Sequence, residues 1–195
     1  MSSCRSLIRH FRSKTASKRS TEFSATICCN PSIVGLDLPD NKIIFYALQH
    51  CTAPQPPWPG QYASVPFTRP QGGSPVIPVS LDNVPLQFTV DTGSDRSLVM
   101  RSALSAAGIK PEPNQAEATG QSFGLGNQKF GIRSARFAEW DVGAEGFQDV
   151  GLDIDTTPRS DIAALSAGLL GEEYFATHRV FISNSTATIL LGLSQ

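Results

Sequence analysis

Between residues 76 and 99 the hydrophobic positions follow a two-residue rhythm. Leu86, Phe88 and Val90 alternate with Gln87, Thr89 and Asp91. That period puts apolar side chains on one face of a strand and leaves the acid at its end. A second run, Val76 to Leu81, comes just before, and Asp82-Asn83 between the two is a turn signal. The pattern predicts a β-hairpin whose second strand delivers Asp91 at its tip. Gly93 permits a backbone geometry that a side chain would forbid, and Thr92 and Ser94 place hydroxyls beside the carboxylate. Small and apolar residues, Ser97, Leu98 and Val99, follow.

Further along, "FGLGNQ" places Gly124 and Gly126 around Leu125, and apolar alternation resumes at Phe130 and Ile132. Glycines at such a tip give mobility and let backbone groups reach a ligand. Residues 32 to 50 fit one or two strands or a short helix, and the pattern does not choose between them. Residues 52 to 74 are crowded with Pro and Gly and read as an extended linker or arm, in which Trp58 either docks on the body, the plainer reading, or serves as a partner-binding aromatic.

Asp-Thr-Gly-Ser at 91–94 resembles the active-site loop of aspartic proteases, and its setting resembles the retropepsin-like, single-domain branch. "PVIPVSLDNVPLQFTVDTGS" resembles the opening hairpin of that family. "SALSAAGIKP" resembles the short helix after the loop, with Gly108 placed to end it. "TGQSFGLGNQKFGI" stands where the flap hairpin would be. "AGLLGEEYFATHRVFIS" resembles the apolar-apolar-Gly segment, short helix and closing strand. The resemblance covers about Pro75 to Leu193 and implies a mostly β fold, a closed acid-protease barrel with one or two short helices. Three divisions follow: a basic, Cys-containing N-terminal region (1–51), partly structured at most, the linker (52–74), and a retropepsin-like domain (75–195).

The resemblance also implies roles. Asp91 is the catalytic acid. Thr92 fixes the loop to its counterpart, Gly93 allows close approach, and Ser94 donates to the carboxylate. Such a donor favours the ionised form of the acid pair and pulls the working pH down; the plain reading of Ser94 is a loop hydroxyl. Gly124, Leu125 and Gly126 form the substrate-covering flap. Leu169, Leu170 and Gly171 buttress the catalytic loop from behind. Glu172 and Glu173 open a short helix, where acids suit the dipole, and His178 reads as a cap or surface residue.

Hydrolysis by carboxylates takes two, one ionised and one protonated, sharing a proton because both cannot ionise side by side. This chain offers a single Asp-Thr/Ser-Gly. "DIDTTP" at 153–158 has no glycine for the turn and reads as an ordinary strand end, so Asp155 is rejected as the second acid. A body of about 120 residues holds one lobe of about a hundred, not two. The expectation is therefore a homodimer with Asp91 from each copy on the two-fold axis, acting on extended polypeptides without metal or cofactor. The alternative is a module of the same fold that dimerises or binds peptides with little or no turnover.

Charge divides the chain. Residues 1–75 hold 8 Lys/Arg against 3 Asp/Glu, and residues 76–195 hold 8 against 14. The acidic body argues against a nucleic-acid surface. All 4 cysteines, Cys4, Cys28, Cys29 and Cys51, lie in the first part and lack metal-ligand spacing. The basic, Ser-rich, acid-free start leans towards a targeting segment, although a solvated tail or a start codon placed too far upstream fits as well. No apolar run is long enough to span a membrane as a helix.

Overall fold

The structure is a computed structural model. It describes residues 9–12, 32–47, 56, 58–70, 73–110, 112–113, 119–123, 129–157 and 166–192. The strands are β1 (Arg9–Arg12), β2 (Ser32–Asp37), β3 (Lys42–Ala47), β4 (Tyr62–Pro66), β5 (Val76–Leu81), β6 (Val84–Val90) and β7 (Leu98–Met100), followed by helix α1 (Arg101–Ala107). Then come β8 (Glu112–Pro113), β9 (Thr119–Phe123), β10 (Lys129–Val142), β11 (Glu145–Asp155), β12 (Gly168–Leu170), helix α2 (Glu172–Phe175), β13 (Val180–Ser183) and β14 (Thr188–Gly192).

The β5–β6 hairpin forms as the alternation predicts. Asp82 and Asn83 both take positive φ, 48° and 62°, the backbone that a two-residue hairpin turn of matching twist requires. Phe88 and Val90 point inward and are buried, while Gln87 is exposed. Ile77 pairs with Phe88, and Val79 with Leu86. Helix α1 ends where Gly108 adopts φ 71°, and the N–H of Ile109 closes on the Leu104 carbonyl at 3.0 Å.

Six strands close into a barrel. Around the ring they run β11, β7, β12, β6, β5 and β10, and β10 pairs back onto β11. Closure removes free edges. Within the ring β12 runs parallel to β6 and antiparallel to β7, so it is threaded between the strands on either side of the Asp91 loop. The barrel interior holds Phe88, Phe137, Val99, Val142, Leu81 and Leu170, all fully buried. At about 25 cal/mol per Å² of apolar surface, each large side chain contributes roughly 1.5–3 kcal/mol by leaving water.

The other strands build a second, open sheet in the order β1, β3, β2, β13, β14, β4. Residues 32–47 resolve into strands β2 and β3, and β2 pairs antiparallel with β13 far along the chain. The stretch 52–74, expected as a linker, carries strand β4, which pairs with β14. Its inward positions, Ala63, Val65 and Phe67, alternate with exposed Tyr62, Ser64 and Pro66. The period-two signal is present but short, and the flanking Pro and Gly conceal it. Trp58 docks as expected, its ring meeting Phe181 edge-on at 6.0 Å.

Candidate active site

Asp91 follows the last residue of β6. Its backbone N–H donates to the Leu170 carbonyl of β12 at 3.0 Å, continuing the parallel β6–β12 pairing into the loop. The chain then turns tightly. The Gly93 N–H donates to Asp91 Oδ1 at 3.0 Å, and the Ser94 N–H reaches the Asp91 carbonyl at 3.3 Å. A side chain at residue 93 would crowd that carboxylate oxygen at 3.2 Å, so the amide can orient the acid because nothing shields it. Asp91 and Thr92 are half-buried and Gly93 is exposed. The carboxylate is thus held at one oxygen at the surface of the barrel.

Ser94 follows the plainer of its two readings, a loop hydroxyl. Its hydroxyl donates to the Arg96 carbonyl at 2.7 Å rather than to Asp91. The residue two positions on offers a carbonyl within reach of the short side chain, so the local turn captures the proton. Arg96 points outward, 69% exposed, with its guanidinium 3.9 Å from Asp153, and Asp95 is exposed.

Leu169, Leu170 and Gly171 lie directly behind this loop. A Cβ on Gly168 would overlap the Leu98 carbonyl and the Phe88 ring, and one on Gly171 would overlap the Arg96 carbonyl. Both glycines therefore let this segment lie close against the backbone of residues 96–98 and the Phe88 ring. Ser166 ties the approach to β12, taking the Thr89 N–H at 3.0 Å and donating to the Gly168 carbonyl at 2.6 Å.

Strands β9 and β10, the segment expected as the flap, pair as a hairpin with Phe123 opposite Lys129. Its tip, with Gly124, Leu125 and Gly126, lies outside the described residues. The hairpin is pinned midway along its ladder at Gly131, whose N–H donates to Thr157 Oγ1 and whose carbonyl accepts from Thr156 Oγ1, both at 3.0 Å. Thr156 and Thr157, directly after the end of β11 at Asp155, thus anchor this hairpin. Asp155 is buried there and accepts the Thr157 N–H at 2.8 Å.

Sequence reasoning missed three features. His178 takes the cap half of its expected reading, its Nδ1 meeting the Tyr174 carbonyl of α2 at 2.7 Å; what was missed is that it is buried, its Nε2 meeting Glu145 Oε2 at 2.7 Å and its ring stacking on Tyr174 at 4.0 Å. The Tyr174 hydroxyl is buried without a hydrogen-bond partner, and burial, aided by the Glu145 charge, pushes its pKa well above the ordinary tyrosine value. Ser97 and Glu173 both bond across the loop. Glu173 opens helix α2 as expected, but that signal did not reveal its bond to Ser97.

Among the described residues no three His, Cys, Asp or Glu side chains group to hold a metal ion, and no helix is long and apolar enough to cross a membrane. A groove of about 630 Å³ lies among Ser64, Pro78 and Ala144, away from the Asp91 loop.

A family model described as "Aspartyl protease" matches residues 77–174, just over half of the chain, and the protein belongs to that family. Among solved structures, the chain is similar to a retropepsin-like aspartic protease from Rickettsia conorii, with 15% identity and a TM-score of 0.42, covering 72% of this chain and 100% of that one. It is also similar to EIAV protease complexed with the inhibitor HBY-793, with 16% identity and a TM-score of 0.40, covering 54% of this chain and 88% of that one. No curated protein matches the chain.

Proposed function

We propose that the protein is an aspartic endopeptidase of retropepsin type in which Asp91 from two copies of the chain forms the catalytic pair. One observation carries the reading: the acid of the Asp-Thr-Gly-Ser loop sits half-buried at a strand end, with one oxygen held by the Gly93 N–H. That leaves the carboxylate accessible and oriented, as a general base for water must be.

In the proposed reaction the ionised carboxyl takes a proton from water as it attacks the peptide carbon. The protonated carboxyl donates to the carbonyl oxygen, giving a tetrahedral diol. Its collapse moves a proton to the leaving nitrogen and frees an amine and an acid. Two such groups held close share one proton, which is the state this chemistry uses. The chain has one such loop, so the second acid comes from a second copy. Thr92 and Gly93 are assigned the contacts between the two loops. The β9–β10 hairpin is assigned the role of covering an extended substrate with Gly124, Leu125 and Gly126.

The test is cleavage of an unfolded polypeptide from acidic to neutral pH, beside Asp91→Asn. The expected result is cleavage by the parent protein, a loss of at least about a thousandfold in Asp91→Asn, and a dimer by solution mass at the active pH. Equal cleavage by both proteins would overturn the reading. No cleavage by either at any pH would leave a module that dimerises or binds peptides.

A further inference from the structure

We propose that Ser97 and Glu173 are positioning residues for the Asp91 loop, clamping its far end to the turn between β12 and α2. The kinetic part of this inference rests on the protease reading above; the clamp itself does not.

The loop is bound to that turn at three levels. At its start, the Asp91 N–H donates to the Leu170 carbonyl at 3.0 Å, and in its middle the Ser94 carbonyl accepts the Glu172 N–H at 2.7 Å. Both are backbone bonds that any sequence with this path can make. The far end is different, because side chains hold it. The Ser97 hydroxyl accepts the Gly171 N–H at 2.9 Å, and the Ser97 N–H donates in turn to the Glu173 carboxylate through a short contact to Oε1. Ser97 is only 2% exposed, so an amide or hydroxyl left unpaired there would be costly.

Glu173 is a surface residue that turns its carboxylate back onto this amide. A charged acceptor makes the bond roughly twice as strong as a neutral one. The two backbones have no slack: a Cβ at Gly171 would overlap Arg96. A shift of Ser97 therefore moves Arg96, whose carbonyl accepts the Ser94 hydroxyl at 2.7 Å. Ser94 in turn bonds back to Asp91. The displacement reaches the acid along this short run, and a misplacement near 1 Å costs about a hundredfold in rate where geometry controls reaction.

The test uses the full chain with Glu173→Ala, Glu173→Gln and Ser97→Ala. Two readouts are taken: kcat and KM on an unfolded polypeptide substrate, and backbone hydrogen exchange of residues 91–97. The glutamine keeps an acceptor oxygen, so it should restore most of what alanine loses. The expectation for Glu173→Ala and Ser97→Ala is a fall in kcat of about ten- to a hundredfold with KM within about twofold, and faster exchange confined to the loop. Exchange at the parent rate in Glu173→Ala would overturn the clamp, as would equal losses in the alanine and glutamine variants. Faster exchange throughout the barrel with kcat unchanged would show a merely structural contact and would also overturn it. If the parent cleaves nothing, the protease reading fails, and the exchange arm alone decides the clamp.

Discussion

The barrel and the open sheet are made of the same kind of strand but are held in different ways. The barrel closes on itself, with β10 returning to β11, and its six strands all come from residues 76–170. The open sheet joins distant parts of the chain: β2 pairs with β13, and β4 with β14, leaving edges at β1 and β4. A closed ring cannot lose one strand without opening two ladders, whereas an open sheet can fray from an edge. The acid loop hangs from the barrel, between β6 and β7 and over β12. The difference teaches that the candidate chemistry is built on the part of the fold least able to yield.

The strongest way to break this comparison is to make equal cavities in the two regions. Phe88 and Phe181 are both essentially buried, and replacing either with alanine should cost about 3–5 kcal/mol. The local consequences should differ. Phe88 lies beneath the loop and beside Gly168, so Phe88→Ala should speed hydrogen exchange of residues 91–97. Phe181→Ala, which removes the partner of Trp58, should leave the loop near the parent rate and loosen residues 32–47. Identical exchange patterns in the two variants would mean that barrel and sheet move as one unit.

A smaller effect should come from the polar link across the sheet. Arg179 Nε donates to Asp37 Oδ1 at 2.9 Å, and the same guanidinium reaches Asp40 at 3.2 Å. Asp37 is buried and Arg179 is partly exposed, so solvent screens part of the attraction. Arg179→Ala should cost about 1–2 kcal/mol in a urea titration, with faster exchange in β2 and no loss of turnover. A fall in kcat would show that the sheet reaches the acid after all.

The same contrast decides what was legible in the sequence. The β5–β6 hairpin, helix α1 with its Gly108 cap, and the β12–α2 segment each announce themselves within one short stretch of chain, because period, turn and cap are local signals. The tight turn at Asp91 was legible because its carboxylate, glycine and hydroxyls are consecutive. What was not legible depends on partners far apart in the chain. Nothing in "SIVGLD" says that β13 waits at residue 180, so residues 32–50 stayed between strand and helix. The clamp from Glu173 to Ser97 and the bond from His178 to Glu145 join residues whose spacing fits no local template. Ser94 had two readings, a donor to the carboxylate by resemblance and a plain loop hydroxyl by itself, and its bond to the Arg96 carbonyl matches the second.

The least expected effect at neutral pH lies at the seam, where α2 leaves the barrel for the open sheet. Tyr174 packs there against Trp140, Phe147 and His178. Burial, with the Glu145 charge adding to it, raises its pKa above the ordinary value. The unfolded chain ionises this phenol near pH 10, whereas the folded one resists. The folded state therefore binds the proton more tightly, and the stabilisation is fully present below about pH 10 and is lost as pH rises beyond it. Tyr174→Phe removes the titrating group together with a buried hydroxyl that has no partner. Urea midpoints at pH 7 should be unchanged or slightly raised, since deleting an unpaired buried hydroxyl relieves a desolvation cost. Above pH 10 the variant should outlast the parent. A loss of more than about 1 kcal/mol at pH 7 would reveal a bonded hydroxyl, with a buried water as the natural partner. An alkaline decline identical in both proteins would move the titration elsewhere and leave the seam indifferent to pH.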